Sequence, residues 1–198
     1  MEPGGKLNMI PGEQDQLEIL GDLFPQAVVR GLRDFSCNIH SFGCTYWTAL
    51  GHRAGFSAIC ELPAPNAGVA ALMGDNVISD SAWFGKNEDD PEVLIEFERY
   101  SDGSDAGKLL SKVQNLLLGY WRWSQQPKLL VIAYWTKGLR NLPDHSAMRE
   151  TIRNGFITVA RESVPGSRSV AIRFFQFVFE GLPPDRWKLV RIIERGSK

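Results

Sequence analysis

The chain predicts an α/β domain, a mixed central sheet flanked by helices, and three consecutive stretches carry that prediction. Residues 92–100, EVLIEFERY, are dominated by β-branched and aromatic residues behind Pro91 and read as a strand. Residues 107–123, GKLLSKVQNLLLGYWRW, place Leu109, Leu110, Val113, Leu116, Leu117, Tyr120 and Trp121 in one sector of an amphipathic helix at about 100° per residue. The run KLLVIAYW at 128–135 carries no charge after its first residue, as a buried central strand requires.

The remaining elements follow in order. Leu17, Leu20, Leu23 and Phe24 recur at helical spacing before Pro25, so residues 13–35 predict one or two opening helices. Residues 37–68 mix Gly and Pro with short apolar pieces and predict a strand around 56–60 and a turn at 63–68. Residues 68–84 read as two short strands or one bent strand, broken near Gly74 and Asp75, and the polar stretch 85–92 is a loop. Residues 101–107 form a turn. After the buried strand, residues 145–163 predict a helix with Met148, Ile152, Phe156 and Val159 inward, interrupted in propensity by Gly155. Strands at 169–180 and 186–194 close the chain. A single domain, 1–198, is expected, with a core of about 13–163 and a C-terminal strand extension of about 169–194.

Composition excludes some classes. With 43% hydrophobic and 23% charged residues the chain has the balance of a globular domain rather than a disordered segment. The longest apolar run, 129–135, is far short of the roughly 20 residues that cross a bilayer. The first residues lack the basic and apolar regions of a secretory signal, and three cysteines do not make a disulfide framework, so a cytoplasmic protein with no membrane partner is expected. Residues 1–106 hold 6 Lys and Arg against 17 Asp and Glu, and residues 107–198 hold 16 against 6. An acidic half suits cations and a basic half suits phosphate, although the halves can equally neutralise each other across one fold.

The chemistry centres on Glu96 and Glu98. Side chains alternate along a strand, so Val93, Ile95 and Phe97 point one way and Leu94, Glu96 and Glu98 the other. Two carboxylates on one face require protonation, a basic partner or a hard cation, unless the strand is an edge whose outer face is wet. Asp80, sixteen positions before Glu96, belongs to the preceding strand stretch. Neither Asp80 nor Glu96 falls in the set expected to face the core. Turn residues around Asp80 are the plainer reading of that segment.

The order of an Asp-bearing strand, an ExE-bearing strand, an amphipathic helix and a buried strand resembles the core of the PD-(D/E)xK nuclease superfamily, a restriction-endonuclease-like fold. The resemblance spans roughly residues 13–135. It implies DNA phosphodiester hydrolysis with Mg²⁺ or Mn²⁺ held by Asp80, Glu96 and the Phe97 carbonyl. Glu98 stands where that family normally has lysine. The resemblance therefore implies either that Lys112, or Lys108, supplies the ammonium from the helix, or that Glu98 serves as base or as ligand to a second metal. Gln114 and Tyr120 are six apart, which departs from the spacing of four in the exonuclease-like branch. A non-catalytic binding member of the same fold is the alternative.

Other groups complete the expectations. Lys108, Arg140, Arg149 and Arg153 are candidates for the nucleic-acid backbone, the last three in a segment, 137–173, with seven basic and three acidic residues. A homodimer is compatible with the sequence. Cys37, His40, Cys44 and His52 are zinc-ligand types in a spacing that fits no standard finger, and a Cys–His nucleophile is a second option for them. Aromatic residues from Tyr120 to Trp187, interleaved with arginines, are candidates for base stacking or for core.

Overall fold

The structure, a computed structural model, describes residues 9–33, 35–66, 77–139, 142–159 and 161–196. Its strands are β1 (Ser57–Pro63), β2 (Ile78–Phe84), β3 (Pro91–Arg99), β4 (Leu129–Lys137), β5 (Gly155–Ile157), β6 (Ser163–Pro165), β7 (Ala171–Leu182) and β8 (Arg186–Arg195). Its α-helices are α1 (Glu13–Leu23), α2 (Phe35–Arg53), α3 (Ala106–Arg122) and α4 (His145–Asn154). Six strands form one mixed sheet in the order β1-β2-β3-β4-β7-β8, and β5 and β6 form a separate hairpin. β3, β4 and β7 run parallel, while the outer pairs are antiparallel.

The period of two decides which helix packs on which face. Val93, Ile95 and Phe97 join Val131, Ala133, Phe175 and Phe177 beneath Phe42, Tyr46, Trp47 and Leu50 of α2. Leu94, Leu130, Ile132 and Phe174 face the other way, against Leu109, Val113, Leu116 and Leu117 of α3 and Met148 and Ile152 of α4. The parallel strands are thus covered on both faces, which is why β4 is buried from Leu129 to Thr136. The strands β7 and β8 extend this same sheet.

Three expectations are corrected. Residues 37–53, expected to be irregular, belong to α2, where Ile39, Phe42, Tyr46, Trp47 and Leu50 make a helical stripe. Gly43 in that stripe lets the helix approach β3, since a Cβ there would sit 2.1 Å from the Phe97 ring. Gly43→Ala should lower stability by about 2 kcal/mol, because overpacking of about 3 kcal/mol outweighs the ~1 kcal/mol gain in helix propensity. A urea midpoint equal to wild type would show that the two elements do not meet so closely.

The expected helix over 145–163 stops at Asn154. Asp144 caps its start by accepting the Ser146 and Ala147 N–H groups, and Gly155, at φ +80°, ends it in the left-handed region and turns the chain into the β5–β6 hairpin. Val159 is consequently fully exposed rather than inward, while Phe156 still packs on the core. The aromatic residues are core as well. Tyr120, Tyr134, Trp135, Phe174, Phe175, Phe177 and Phe179 are all buried, and Trp121, Trp123 and Trp187 pack partly buried against them, so the base-stacking reading has no free rings among these. The break expected near Gly74 and Asp75 lies outside the described residues.

His145 makes the fold sensitive to acid. Its ring lies 4.6 Å from that of Phe174 and its Nε2 is 3.0 Å from the Tyr134 hydroxyl. Burial, then Arg149 and Arg195, push its pKa from 6.5 to about 4 against the pull of Asp144. The fold therefore holds the ring neutral, and between those two values the unfolded chain binds the extra proton. This share of stability is complete above pH 6.5 and is lost as pH falls toward 4. The ceiling is about 1.4 kcal/mol per pH unit, and partial exposure brings the total to about 2 kcal/mol. In urea titrations His145→Gln should flatten the decline between pH 7 and pH 4.5, and a decline as steep as wild type would rule His145 out as its source.

Candidate active site

The last registered pair of β2 and β3 toward the carboxyl end of β3 is Ser81 with Ile95, after which β3 continues beside β4 alone as far as Arg99. Side chains take over where the strands part. The Phe97 N–H donates to Asp80 Oδ2 at 2.7 Å, and His40 Nδ1 donates to the Phe97 carbonyl at 3.2 Å. The partners come from β2 and from α2, so the fork is closed by one acid and one imidazole. With Nδ1 acting as donor, the Nε2 of the neutral ring is an acceptor. That atom lies 3.5 Å from Cys44 Sγ and 3.7 Å from Asp80 Oδ1.

Glu96 is completely buried under α3. Lys112 Nζ donates to its Oε2 at 2.6 Å and Asn115 Nδ2 to its Oε1 at 2.6 Å. Lys112 and Asn115 share a helix face at i, i+3 spacing, and Asn115 also donates to the Ile78 carbonyl at 2.9 Å, which ties α3 to β2. The same Lys112 ammonium lies 3.5 Å from Asp80 Oδ2. Two carboxylates thus share one cation. Burial, then the charge of Asp80, push the Glu96 pKa up to about 8, against Lys112 and Asn115. Burial works to lower the pKa of Lys112, but Glu96 and Asp80 outweigh it and hold the ammonium charged.

Asp80, at 6% exposure, and Glu96, at 0%, are therefore interior residues, contrary to the expectation that both lie off the core-facing set. The wet-edge reading fails for Glu96 too, since its side chain is completely buried and bonded to Lys112 and Asn115 of α3. Lys112, which the resemblance implies as a helix-borne ammonium, sits at the edge of the apolar sector of α3, where a long stem lies along the core and delivers the ammonium past it.

Glu98 lies on the same strand face but does something different. Its Oε1 accepts the Arg99 N–H at 2.7 Å, and its side chain lines a cleft of about 200 Å³ with Ile39, His40, Arg99, Lys108 and Trp135. This cleft opens at the carboxyl ends of the parallel strands, where α/β sheets commonly bind ligands. Lys108 and Arg99 at its rim each approach Asp105 Oδ1 at 3.3 Å. Burial works to raise the Asp105 pKa, but the Ser101 N–H, Arg99 and Lys108 outweigh it and bring it to about 2.

The other predicted phosphate contacts are elsewhere. Arg149 and Arg153 line a separate cleft of about 140 Å³ with Ser167 and Arg168. Arg149 donates to the carbonyls of Ile172 and Gly196 and lies over the Phe174 ring, so much of its donor capacity is used within the fold. Ile172 is level with Leu94 in the register and Gln176 with Glu98, which separates Arg149 from the Glu98 cleft by about 13 Å along the strands. Arg140 is outside the described residues. Lys112 and Lys128 from the basic half pair with Glu96, Asp80 and Glu92 of the acidic half, so part of the charge asymmetry is internal compensation.

His40 and Cys44 do come together, one helical turn apart, but with Asp80 rather than His52. His52 is exposed eight residues beyond Cys44, about 12 Å of helix. The donor atoms of His40, Cys44 and Asp80 all lie within 4.8 Å of one another, a group that could hold a metal ion. Burial, then Asp80, push the Cys44 thiol well up. No helix among the described residues is long and apolar enough to cross a membrane. Comparison with known proteins gave no match to a family model, a curated sequence or a solved structure.

Proposed function

We propose that this chain is a divalent-metal-dependent nuclease that hydrolyses DNA phosphodiester bonds, on a divergent restriction-endonuclease-like fold. One observation carries the reading. Asp80 and Glu96, from adjacent strands, both reach the Lys112 ammonium of the following helix where β2 and β3 separate. Asp80 and Glu96, suggested by their spacing, lie together around Lys112, and this supports a helix-borne ammonium in the role of the strand lysine.

The donor set fits Mg²⁺ or Mn²⁺. Asp80, Glu96 and the Phe97 carbonyl are hard oxygen donors, and the two carboxylates already converge on a cation. A bound Mg²⁺ would neutralise charge on the phosphate and make a water more acidic. The residues supply the rest. Phe97 N–H fixes the Asp80 carboxylate, Asn115 fixes that of Glu96, and Lys112 is placed to stabilise negative charge that grows in the transition state. Arg99 and Lys108 at the cleft rim offer positive charge to an incoming phosphate, with Asp105 holding both in place. Glu98, which lines the same cleft, is the alternative to Lys112, as a base toward water there.

The 2.6 Å Lys112–Glu96 contact also favours a second reading, a non-catalytic DNA-binding member whose lysine neutralises the acids permanently. Incubation with supercoiled and linear DNA separates the two. The enzyme nicks or cuts DNA with Mg²⁺ or Mn²⁺ and stops when EDTA is added. DNA retained but uncut with every divalent metal would establish the binder, and neither cutting nor retention would end both readings.

A further inference from the structure

We propose that His40, Cys44 and Asp80 form a site for a borderline-soft divalent ion of the zinc class, beside the oxygen-lined position of Asp80 and Glu96 and sharing Asp80 with it.

The geometry of the donors supports this first. Zinc ligands at ~2.0–2.3 Å in a tetrahedron stand about 3.3–3.8 Å from one another. His40 Nε2 is 3.5 Å from Cys44 Sγ and 3.7 Å from Asp80 Oδ1, and all three donor atoms lie within 4.8 Å of one another, so closing of the three around an ion would seat it. The two residues of α2 are four apart, which puts them on one helix face without any help from a loop.

The surrounding contacts then aim the donors. His40 Nδ1 donates to the Phe97 carbonyl, and this bond directs the Nε2 lone pair toward Cys44 and Asp80, the outer-shell arrangement typical of metal-bound histidine. Asp80 divides its oxygens. Oδ2 receives the Phe97 N–H and faces Lys112, while Oδ1 faces His40. One carboxylate can therefore serve both positions. The side chain of His40 is 46% exposed, which gives an ion a way in, and three protein donors leave a fourth position for water or a ligand.

The donor chemistry selects the ion class. One nitrogen, one sulfur and one oxygen suit zinc or cobalt, whereas Mg²⁺ requires oxygen. The neighbouring position, with the Asp80 and Glu96 carboxylates, has the opposite preference. Two adjacent positions of unlike chemistry make Asp80 the point at which a zinc-class ion would influence the oxygen-lined one.

Co²⁺ added alone to the full chain tests this without any DNA. A thiolate-to-cobalt charge-transfer band in the near ultraviolet, with visible bands of four-coordinate intensity and saturation at one equivalent, is the expected result, and Zn²⁺ should displace it. His40→Ala and Cys44→Ala should each abolish the charge-transfer band, with near-ultraviolet circular dichroism confirming that the variants fold. Glu96→Gln should retain it, and so should Cys60→Ser, whose exposed thiol on β1 neighbours that of Cys44 but is not one of the three donors. Cobalt that binds without the band, a band that survives Cys44→Ala, or a band lost in Cys60→Ser would each overturn the site. The nuclease reading stands or falls on cleavage, so a protein that cuts no DNA can still give the band, and a nuclease can lack it.

Discussion

Asp80→Asn and Glu96→Gln are each expected to reduce metal-dependent DNA cleavage by about 10³-fold or more, since losing either carboxylate forfeits several kcal/mol of charge stabilisation at ~1.4 kcal/mol per factor of ten. The amides are the informative substitutions because both acids are buried. Asp80 accepts the Phe97 N–H, and truncation to alanine would strand that donor at about 1–3 kcal/mol, mixing loss of fold with loss of chemistry. Asparagine keeps an acceptor there, and glutamine keeps an oxygen toward Lys112 or Asn115. Cleavage at wild-type rate in both variants, with melting temperatures confirming that they are folded, would remove the site assignment. Loss of cleavage with DNA affinity intact is the pattern that places the acids at the chemistry rather than at substrate binding.

Much of this site was legible before the fold was known, and the limits were physical. Glu96 stood out because two charges inside an apolar run demand compensation, whereas Lys112 came only from the resemblance, with its place beside the apolar stripe of α3 allowing its stem to run along the core. Asn115 was passed over since a neutral amide on the polar side of a helix gives no signal by itself. Only the approach of α3 to β2 and β3 shows that it satisfies both Ile78 and Glu96. His40 and Cys44 were noticed as ligand types but grouped with Cys37 and His52, because spacing along a chain cannot show that Asp80, 36 positions after Cys44, is the third member. The helix that carries them was itself obscured. Gly43 and Gly51 depress helix propensity in α2, yet they are what allow it to lie on Phe97 and Trp83, so tertiary contact overrode the local signal. The same conflict ran the other way at Gly155, where a helical pattern continued past a residue whose positive φ ends it. The basic residues show a further limit. Net charge pointed to the second half as a whole, but Lys112 and Lys128 are consumed by internal pairs, and of the predicted contacts that are described Lys108 alone stands at the rim of the Glu98 cleft.

Lys112→Met and Glu98→Gln together decide, within the proposed nuclease reading, which of the two residues acts beside the acids. The Lys112 ammonium is the shared counter-charge of two carboxylates, at 2.6 Å from Glu96 and 3.5 Å from Asp80. Asp80 and Glu96 would hold a divalent ion if one binds, and Lys112 would then be free to act on the phosphate or the attacking water. Removing it should therefore cost about 10²–10³-fold in cleavage rate, the scale of losing one preorganised transition-state donor. It should not weaken metal binding, because methionine removes a competitor for the carboxylates, and Mn²⁺ affinity by calorimetry should stay equal or rise. DNA affinity should change little, since Arg99 and Lys108 remain at the rim. Glu98→Gln should cost less than tenfold if Lys112 is the active group, because Glu98 is hydrogen-bonded to the neighbouring Arg99 N–H and glutamine keeps that acceptor. The reverse order, with Glu98→Gln abolishing cleavage and Lys112→Met mild, assigns the base to Glu98 and leaves Lys112 as a buried counter-charge. If both variants cleave like wild type while Asp80→Asn does not, neither residue takes part in the rate-limiting chemistry, and the likeness to the nuclease site is limited to its acids.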